Sequence, residues 1–142
     1  MTAAIRWHSD HDAVDWDALT RDLAGDDFDN GRTPAQLALS FRNSFAAVYA
    51  AVDARTIGTA RVLSDGVCNA YLVDLWTLTA HRRRGVARRM IDMLCARLDG
   101  QHLCLFTDDA PAFYQACGFA QRGVAFERVI GRWLHNATLT QC

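Results

Sequence analysis

Lysine is absent from these 142 residues, and all 15 basic side chains are arginine. Genome composition produces the same bias, so no mechanism follows from it. Other absences exclude more. No run approaches the roughly 18 apolar residues of a membrane-crossing helix, and residues 1–10 have no apolar segment of the secretion-signal kind. Neither a span nor a signal peptide is expected. The five cysteines, Cys68, Cys95, Cys104, Cys117 and Cys142, are odd in number and widely spaced. They form no Cys-x-x-Cys pair and no Cys/His spacing that suits zinc, so no metal is expected. Most read as small buried apolar side chains, and a reducing, cytoplasmic compartment is expected. A net charge of −1 argues against a polycation built for nucleic acid or a membrane surface.

What is present is a globular composition, 51% hydrophobic and 22% charged, at a length that suits one domain over residues 1–142. Charge is unevenly spread. Eight aspartates lie between Asp10 and Asp29 against one arginine, whereas five arginines fall in the nine residues His81–Arg89 with no acid among them. That cluster stands where an apolar run ending at Leu78 passes into a helical pattern. The start of a helix carries unpaired N–H groups and the positive end of the macrodipole, and so favours acids. Cations there are unfavourable unless an anion meets them. Gly85 and Ala87 keep the bend small, so that backbone N–H groups can come close to a ligand. A phosphate site accounts for all of this. A solvated basic patch, or a nucleic-acid footprint, accounts for the arginines alone.

Periodicity predicts a short strand at Ile5–Trp7 and a helix over Ala13–Ala24 with Trp16, Leu19 and Leu23 on one face. A second helix runs from Pro34 to about Asn43, with Thr33 as N-cap, Gln36 completing a capping box, and Leu37 and Phe41 inward with Ser44 or Phe45. Ala47–Val52 and Thr56–Leu63 read as a hairpin turned by Asp53-Ala54-Arg55. Tyr71–Leu78, nearly continuous in apolar content, reads as a central strand covered on both faces. A helix over Gly85–Asp99 would bury Ala87, Met90, Ile91, Leu94 and Leu98. A strand at His102–Phe106 follows, then a helix from Pro111 to Gly118. Strand material at Phe119–Gln121 and Ala125–Ile130 follows, and then a tail, Gly131–Cys142.

Arg82-Arg83-Arg84-Gly85-Val86-Ala87 fits the Gln/Arg-x-x-Gly-x-Gly/Ala signature of the GNAT acetyltransferase superfamily, between a strand and a helix as that signature requires. Phe113-Tyr114-Gln115-Ala116-Cys117-Gly118-Phe119 is similar to the aromatic-Tyr-x-x-x-Gly-Phe segment of the same enzymes. The motifs cover the second half of the chain; the first half matches by element order. The resemblance implies an α/β fold of the GNAT type, a twisted mixed sheet with helices on both faces, and acetyl-CoA as co-substrate. By the same resemblance, the backbone of Trp76, Thr77 and Leu78 would meet the pantetheine arm beside a strand bulge. Arg82, Arg83, Arg84, Gly85, Val86, Ala87 and Arg88 would hold the phosphates. Thr79-Ala80 stands where the family often has a proline, which changes only loop stiffness.

The resemblance makes Tyr114 the general acid. A phenol, with a pKa of about 10, is protonated at neutral pH and can donate to a departing thiolate. Core packing between Phe113 and Phe119 is the alternative for that ring. Asp74 lies in an otherwise apolar strand, where an unpaired carboxylate is costly. It is a candidate base or substrate anchor, or else a hydrogen-bonded structural aspartate. Glu127, His102 and His135 read as structural. The expected activity is direct acetyl transfer to a primary amine of a small molecule. A peptide or protein N-terminus is the second acceptor class, and a non-catalytic CoA-binding module the second type of function. The acidic stretch Asp10–Asp29 would attract a cationic amine or simply be solvated. Nucleic acid and membrane are not expected as partners, and pairing of two copies is left open.

Overall fold

A computed structural model describes residues 3–136. Five strands form one sheet in the order β1 (Arg6–His8), β2 (Ala46–Val52), β3 (Arg55–Ser64), β4 (Asn69–Thr77) and β5 (His102–Cys104). Every pairing is antiparallel except β4 with β5, which is parallel. The parallel pair needs a crossover, supplied by α3 (Val86–Cys95). The chain falls into two compact units, Met1–Phe106 and Thr107–Cys142.

Between β1 and β2 come a single 3-10 turn (His11–Ala13), α1 (Trp16–Gly25) and α2 (Pro34–Arg42). The first helix starts three residues later than periodicity predicts, because the carboxylate of Asp15 caps it by accepting from the Ala18 N–H at 3.0 Å. The capping box of α2 is formed as expected: Thr33 Oγ1 accepts from Gln36 N–H, and Gln36 Oε1 accepts from Thr33 N–H.

Alternation along the strands sorts the helices onto the two faces. On one face, Tyr49 of β2 packs against Trp16 of α1 and Phe41 of α2, with ring centroids 5.5–6.0 Å apart. On the other, Gly58 of β3 lies under α3; a Cβ there would meet Met90 and Val86 at 3.1 Å. Val86, not Ala87, therefore takes the core position of the first turn, while Met90, Ile91, Leu94 and Leu98 are buried as expected. The strands covered on both faces are β2 and β3, where Ala46–Ala51 and Thr56–Ala60 are all buried; Tyr71, Val73, Asp74 and Leu75 of β4 are only half-buried.

Two further expectations fail. Among the described residues no strand follows β5: Phe119–Gln121 and Ala125–Ile130 are irregular, as is the described part of the tail, while residues 137–142 lie outside the described residues. β5 itself stops at Cys104. The cysteines are not buried either. Cys68, Cys95 and Cys104 are exposed and Cys117 half-buried, since each sits at an element's end or outer face; Cys142 lies outside the described residues. The second unit carries α4 (Pro111–Ala116), which starts at Pro111 and is followed by Gly118 in the left-handed region, φ +95°.

Candidate functional site

The sheet opens along β4. Only Asn69–Tyr71 pair with β5, so among the described residues no strand pairs with the outer edge of β4 from Leu72 onward. On its inner side the register with β3 slips: Arg61 faces Val73 but Thr59 faces Trp76, leaving one extra residue on β4. This is a β-bulge, and Asp74 holds it with a left-handed backbone, φ +57°. Thr59 Oγ1 donates to the Asp74 carbonyl at 2.9 Å and pins the irregular peptide.

Asp74 does not stand as a free carboxylate. Arg32 donates to both of its oxygens, at 3.1 and 2.7 Å, and Arg61 Nε donates to Oδ2. The three side chains are 8–12% exposed. Burial alone would push the Asp74 carboxyl up, but the two guanidiniums outweigh it and the pKa falls below the usual value. A carboxylate so stabilised is a poor proton acceptor. The geometry makes it an anchor of the bulge and of the α1–α2 loop.

Past Thr77, whose buried Oγ1 has no hydrogen-bond partner among the described residues, Leu78 N–H donates to the Ile57 carbonyl at 2.8 Å. A 3-10 turn (Thr79–His81) then leads into the arginine bend. Asp26, the C-cap of α1, ties this corner together. It accepts from Trp76 Nε1 at 3.0 Å, Thr79 N–H at 3.1 Å and Thr79 Oγ1 at 2.7 Å, with an Arg82 nitrogen at 4.0 Å. Burial opposes its ionisation, but the Thr79 and Trp76 bonds and the Arg82 charge lower its pKa overall. Sequence reading placed Asp26 in an undifferentiated acidic run; its partners are 50 or more residues away, so no local signal marks it.

Trp76 and Leu78 are buried, which leaves their backbone rather than their side chains for a ligand. Arg82 Nε donates to the Thr77 carbonyl at 3.1 Å, and Arg84 lies 3.0 Å from His81 Nδ1. Arg83 and Gly85 both take left-handed backbones, φ +63° and +76°. Gly85 is the N-cap of α3, no side chain caps that helix, and a Cβ on Gly85 would meet nothing within 4 Å. Residues 82–85 and Arg88 are exposed, Ala87 is half-buried, and Val86 offers only its backbone. Successive left-handed and helical residues turn their N–H groups into one concavity at the positive end of a helix.

Within its own unit, Tyr114 stands edge-on to Phe113 and Phe119, with ring centroids 5.1 and 5.9 Å away. Burial, with smaller contributions from Cys117 and Asp109, raises its pKa, so the phenol is fully protonated at neutral pH. Glu127, His102 and His135 are exposed. A cleft of about 580 Å³ runs between α1 and the β2–β3 turn to His81. Its lining mixes Asp15, Asp22 and Asp53 with Arg21 and Arg55, and Asp22 is paired with Arg55 at 2.9 Å. Within this cleft Arg55 thus neutralises one aspartate of the acidic stretch. Among the described residues no helix is long and apolar enough to cross a membrane.

A family model described as an acetyltransferase (GNAT) domain matches residues 44–121. No curated protein matches the sequence. Several solved structures share the fold. One is a protein of Xanthomonas campestris pv. campestris assigned to the GNAT acetyltransferases. It is 26% identical, covers 96% of this chain and all of its own, and has a TM-score of 0.79. Glucosamine-6-phosphate N-acetyltransferase from Arabidopsis thaliana is 11% identical over 89% of this chain and 98% of its own, TM-score 0.72. An acetyltransferase of Clostridium acetobutylicum, solved with acetyl-CoA, is 18% identical over 89% of this chain and 96% of its own, TM-score 0.69.

Proposed function

Because the chain belongs to the GNAT acetyltransferase family, we propose that it carries the acetyl group of acetyl-CoA directly to a primary amine of a small molecule. The observation that carries this reading is the exposed cationic bend at Arg82–Arg88, set where a strand with an unpaired edge meets an uncapped helix. The residues suit the cofactor. Open N–H groups and arginines match a pyrophosphate, an open strand edge matches the two amides of pantetheine, and the orphaned Thr77 hydroxyl lies at that edge's end. The Clostridium relative, solved with acetyl-CoA, supports that choice.

The backbone of Trp76, Thr77 and Leu78 binds the pantetheine arm, and Arg82–Arg88 bind the phosphates. Acetyl-CoA supplies an activated acyl group. A backbone N–H beside the bulge polarises its carbonyl. Asp74 keeps that bulge in shape through Arg32 and Arg61. The acceptor ammonium would lose one proton to water before attack; by the family resemblance Tyr114 Oη would protonate the departing sulfur, and the second proton of the attacking nitrogen, released as the amide forms, would restore the phenol. The N-acetyltransferase of Arabidopsis, named for an amino sugar phosphate, supports a small amine as acceptor. The exposed thiols of Cys68, Cys95 and Cys104 suit a reducing, cytoplasmic setting.

Two measurements test this. Acetyl-CoA at a hundred times its Kd should stabilise the fold by about 2.7 kcal/mol. A panel of primary amines should then release free thiol. No stabilisation defeats the cofactor assignment. Stabilisation without turnover of any small amine, but with turnover of a peptide N-terminus, moves the acceptor to proteins; no turnover at all makes the chain a CoA-binding module.

A further inference from the structure

Two helix ends in this protein carry charge of the unfavourable sign. The last turn of α1 has no basic side chain and Asp26 and Asp27 follow it, although the C-terminal end of a helix favours cations. The first turn of α3 has no acid and comes after Arg82-Arg83-Arg84, although the N-terminal end favours anions. Asp26 brings the two ends together. Its Oδ2 lies 4.0 Å from Arg82, whose Nε donates to the Thr77 carbonyl at 3.1 Å. The backbone fixes Asp26 in turn. Asp27 N–H donates to the Ala24 carbonyl at 3.1 Å and Phe28 N–H to the Leu23 carbonyl at 2.9 Å. This is a Schellman ending, with Asp27 at φ +55° in the left-handed position where glycine is usual. Consecutive residues chosen against both the dipole and the backbone preference point to a partner elsewhere in the fold.

The partners are Trp76 Nε1 on β4, and the N–H and Oγ1 of Thr79 on the turn that follows. Trp76 is only 2% exposed, so without Asp26 its indole N–H is a buried donor left unpaired. Between these two anchors lie Thr77 and Leu78, and Arg82 opens the bend. We infer that Asp26 is a positioning residue for acetyl-CoA: it holds the end of β4 and the start of the arginine bend in one fixed relation, so that both meet the ligand already arranged. This inference rests on the acetyl-CoA reading of the site. Asp26 acts through Trp76, Thr79 and Arg82. Its charge by itself acts in the opposite direction. A carboxylate near bound phosphates repels them, so as a bare charge its removal tightens binding. As a positioning group its removal weakens binding, because the ligand must then order the segment.

Asp26→Asn reads that sign. Asparagine keeps the shape and one carbonyl acceptor, and removes the charge. Calorimetry with CoA and steady-state kinetics are run where urea unfolding shows both proteins folded. The loss of a charge-assisted bond predicts that Kd for CoA and KM for acetyl-CoA rise about tenfold, with kcat and the amine KM within about threefold. In the unliganded variant the Thr79 amide and the Trp76 indole N–H should exchange at least about tenfold faster than in the wild type. Arg82→Gln should weaken CoA binding less in the Asp26→Asn background than in the wild type, since both act through one arrangement. If Asp26→Asn does not fold, Thr79→Val takes its place, since it removes one donor from an exposed side chain; it should raise Kd about threefold, and an unchanged Kd overturns the inference. A wild type that binds CoA beside an Asp26→Asn variant that binds as well or better overturns the inference and leaves the acetyl-CoA reading standing. A fall in kcat with KM unchanged also overturns it, making Asp26 a structural tie. A wild type that does not bind CoA overturns both.

Discussion

Replacing Asp74 with asparagine separates an anchoring role from a basic one. The backbone at this position is left-handed, φ +57°, a region asparagine tolerates about as well as aspartate, so the exchange removes charge without adding strain. What it leaves is two guanidiniums, on side chains only 8% and 12% exposed, with no carboxylate to face. Breaking a buried ion pair by deleting one partner costs about 3–5 kcal/mol. At roughly 3–5 °C per kcal/mol for a chain of this size, Tm should drop by about 10–20 °C. Urea unfolding at pH 7 measures the loss directly. Removing one surplus charge by Arg32→Met in the Asp74→Asn background should recover part of it, a coupling of about 0.5–3 kcal/mol. Acetyl transfer, assayed at a temperature where both proteins are folded, should fall only as far as the bulge loosens. The reasoning is refuted if stability stays within about 0.5 kcal/mol while turnover drops about 10²–10⁴-fold, the signature of a lost general base.

The same ion pair sets a pH dependence. Its folded-state pKa is lowered, so its contribution is complete above the ordinary aspartate range and disappears as pH falls through the folded value. The difference in unfolding midpoint between wild type and Asp74→Asn should be flat from pH 7 to about 4 and shrink below that; a difference that grows on acidification contradicts the sign. Tyr114→Phe should keep the melting temperature and lower kcat by about 10²–10⁴-fold, since no hydrogen bond from its hydroxyl to another described residue exists; unchanged turnover returns Tyr114 to core packing. Gly85→Ala should cost about 1–2 kcal/mol from backbone conformation alone, the Cβ meeting open space. It should also lessen stabilisation by acetyl-CoA. A variant that melts and binds like the wild type would show that the left-handed bend at Gly85 is unimportant.

Local chemistry was readable wherever cause and effect lie within a few residues. The capping box at Thr33–Gln36 and the hairpin at Asp53-Ala54 formed where the sequence put them, because turn and cap bonds close over three or four positions. The arginine bend before α3 did so too. Strand and helix existence followed from periodicity, although Asp15 rather than Ala13 set the start of α1. The late strands failed for the complementary reason. A strand is completed by its neighbour, and residues 119–130 have strand composition but are in no ladder among the described residues. Distance decided the rest. Arg32, Arg61 and Asp74 are separated by 13 to 42 residues, and Asp26 from Trp76 by 50, so no window of sequence contains these pairs. Sequence by itself determined the four helices and the first five strands, the cationic bend and the family. Only the tertiary structure decided that the lone acid of the fourth strand is already held by two arginines, because only folding chooses which distant charges a buried carboxylate meets.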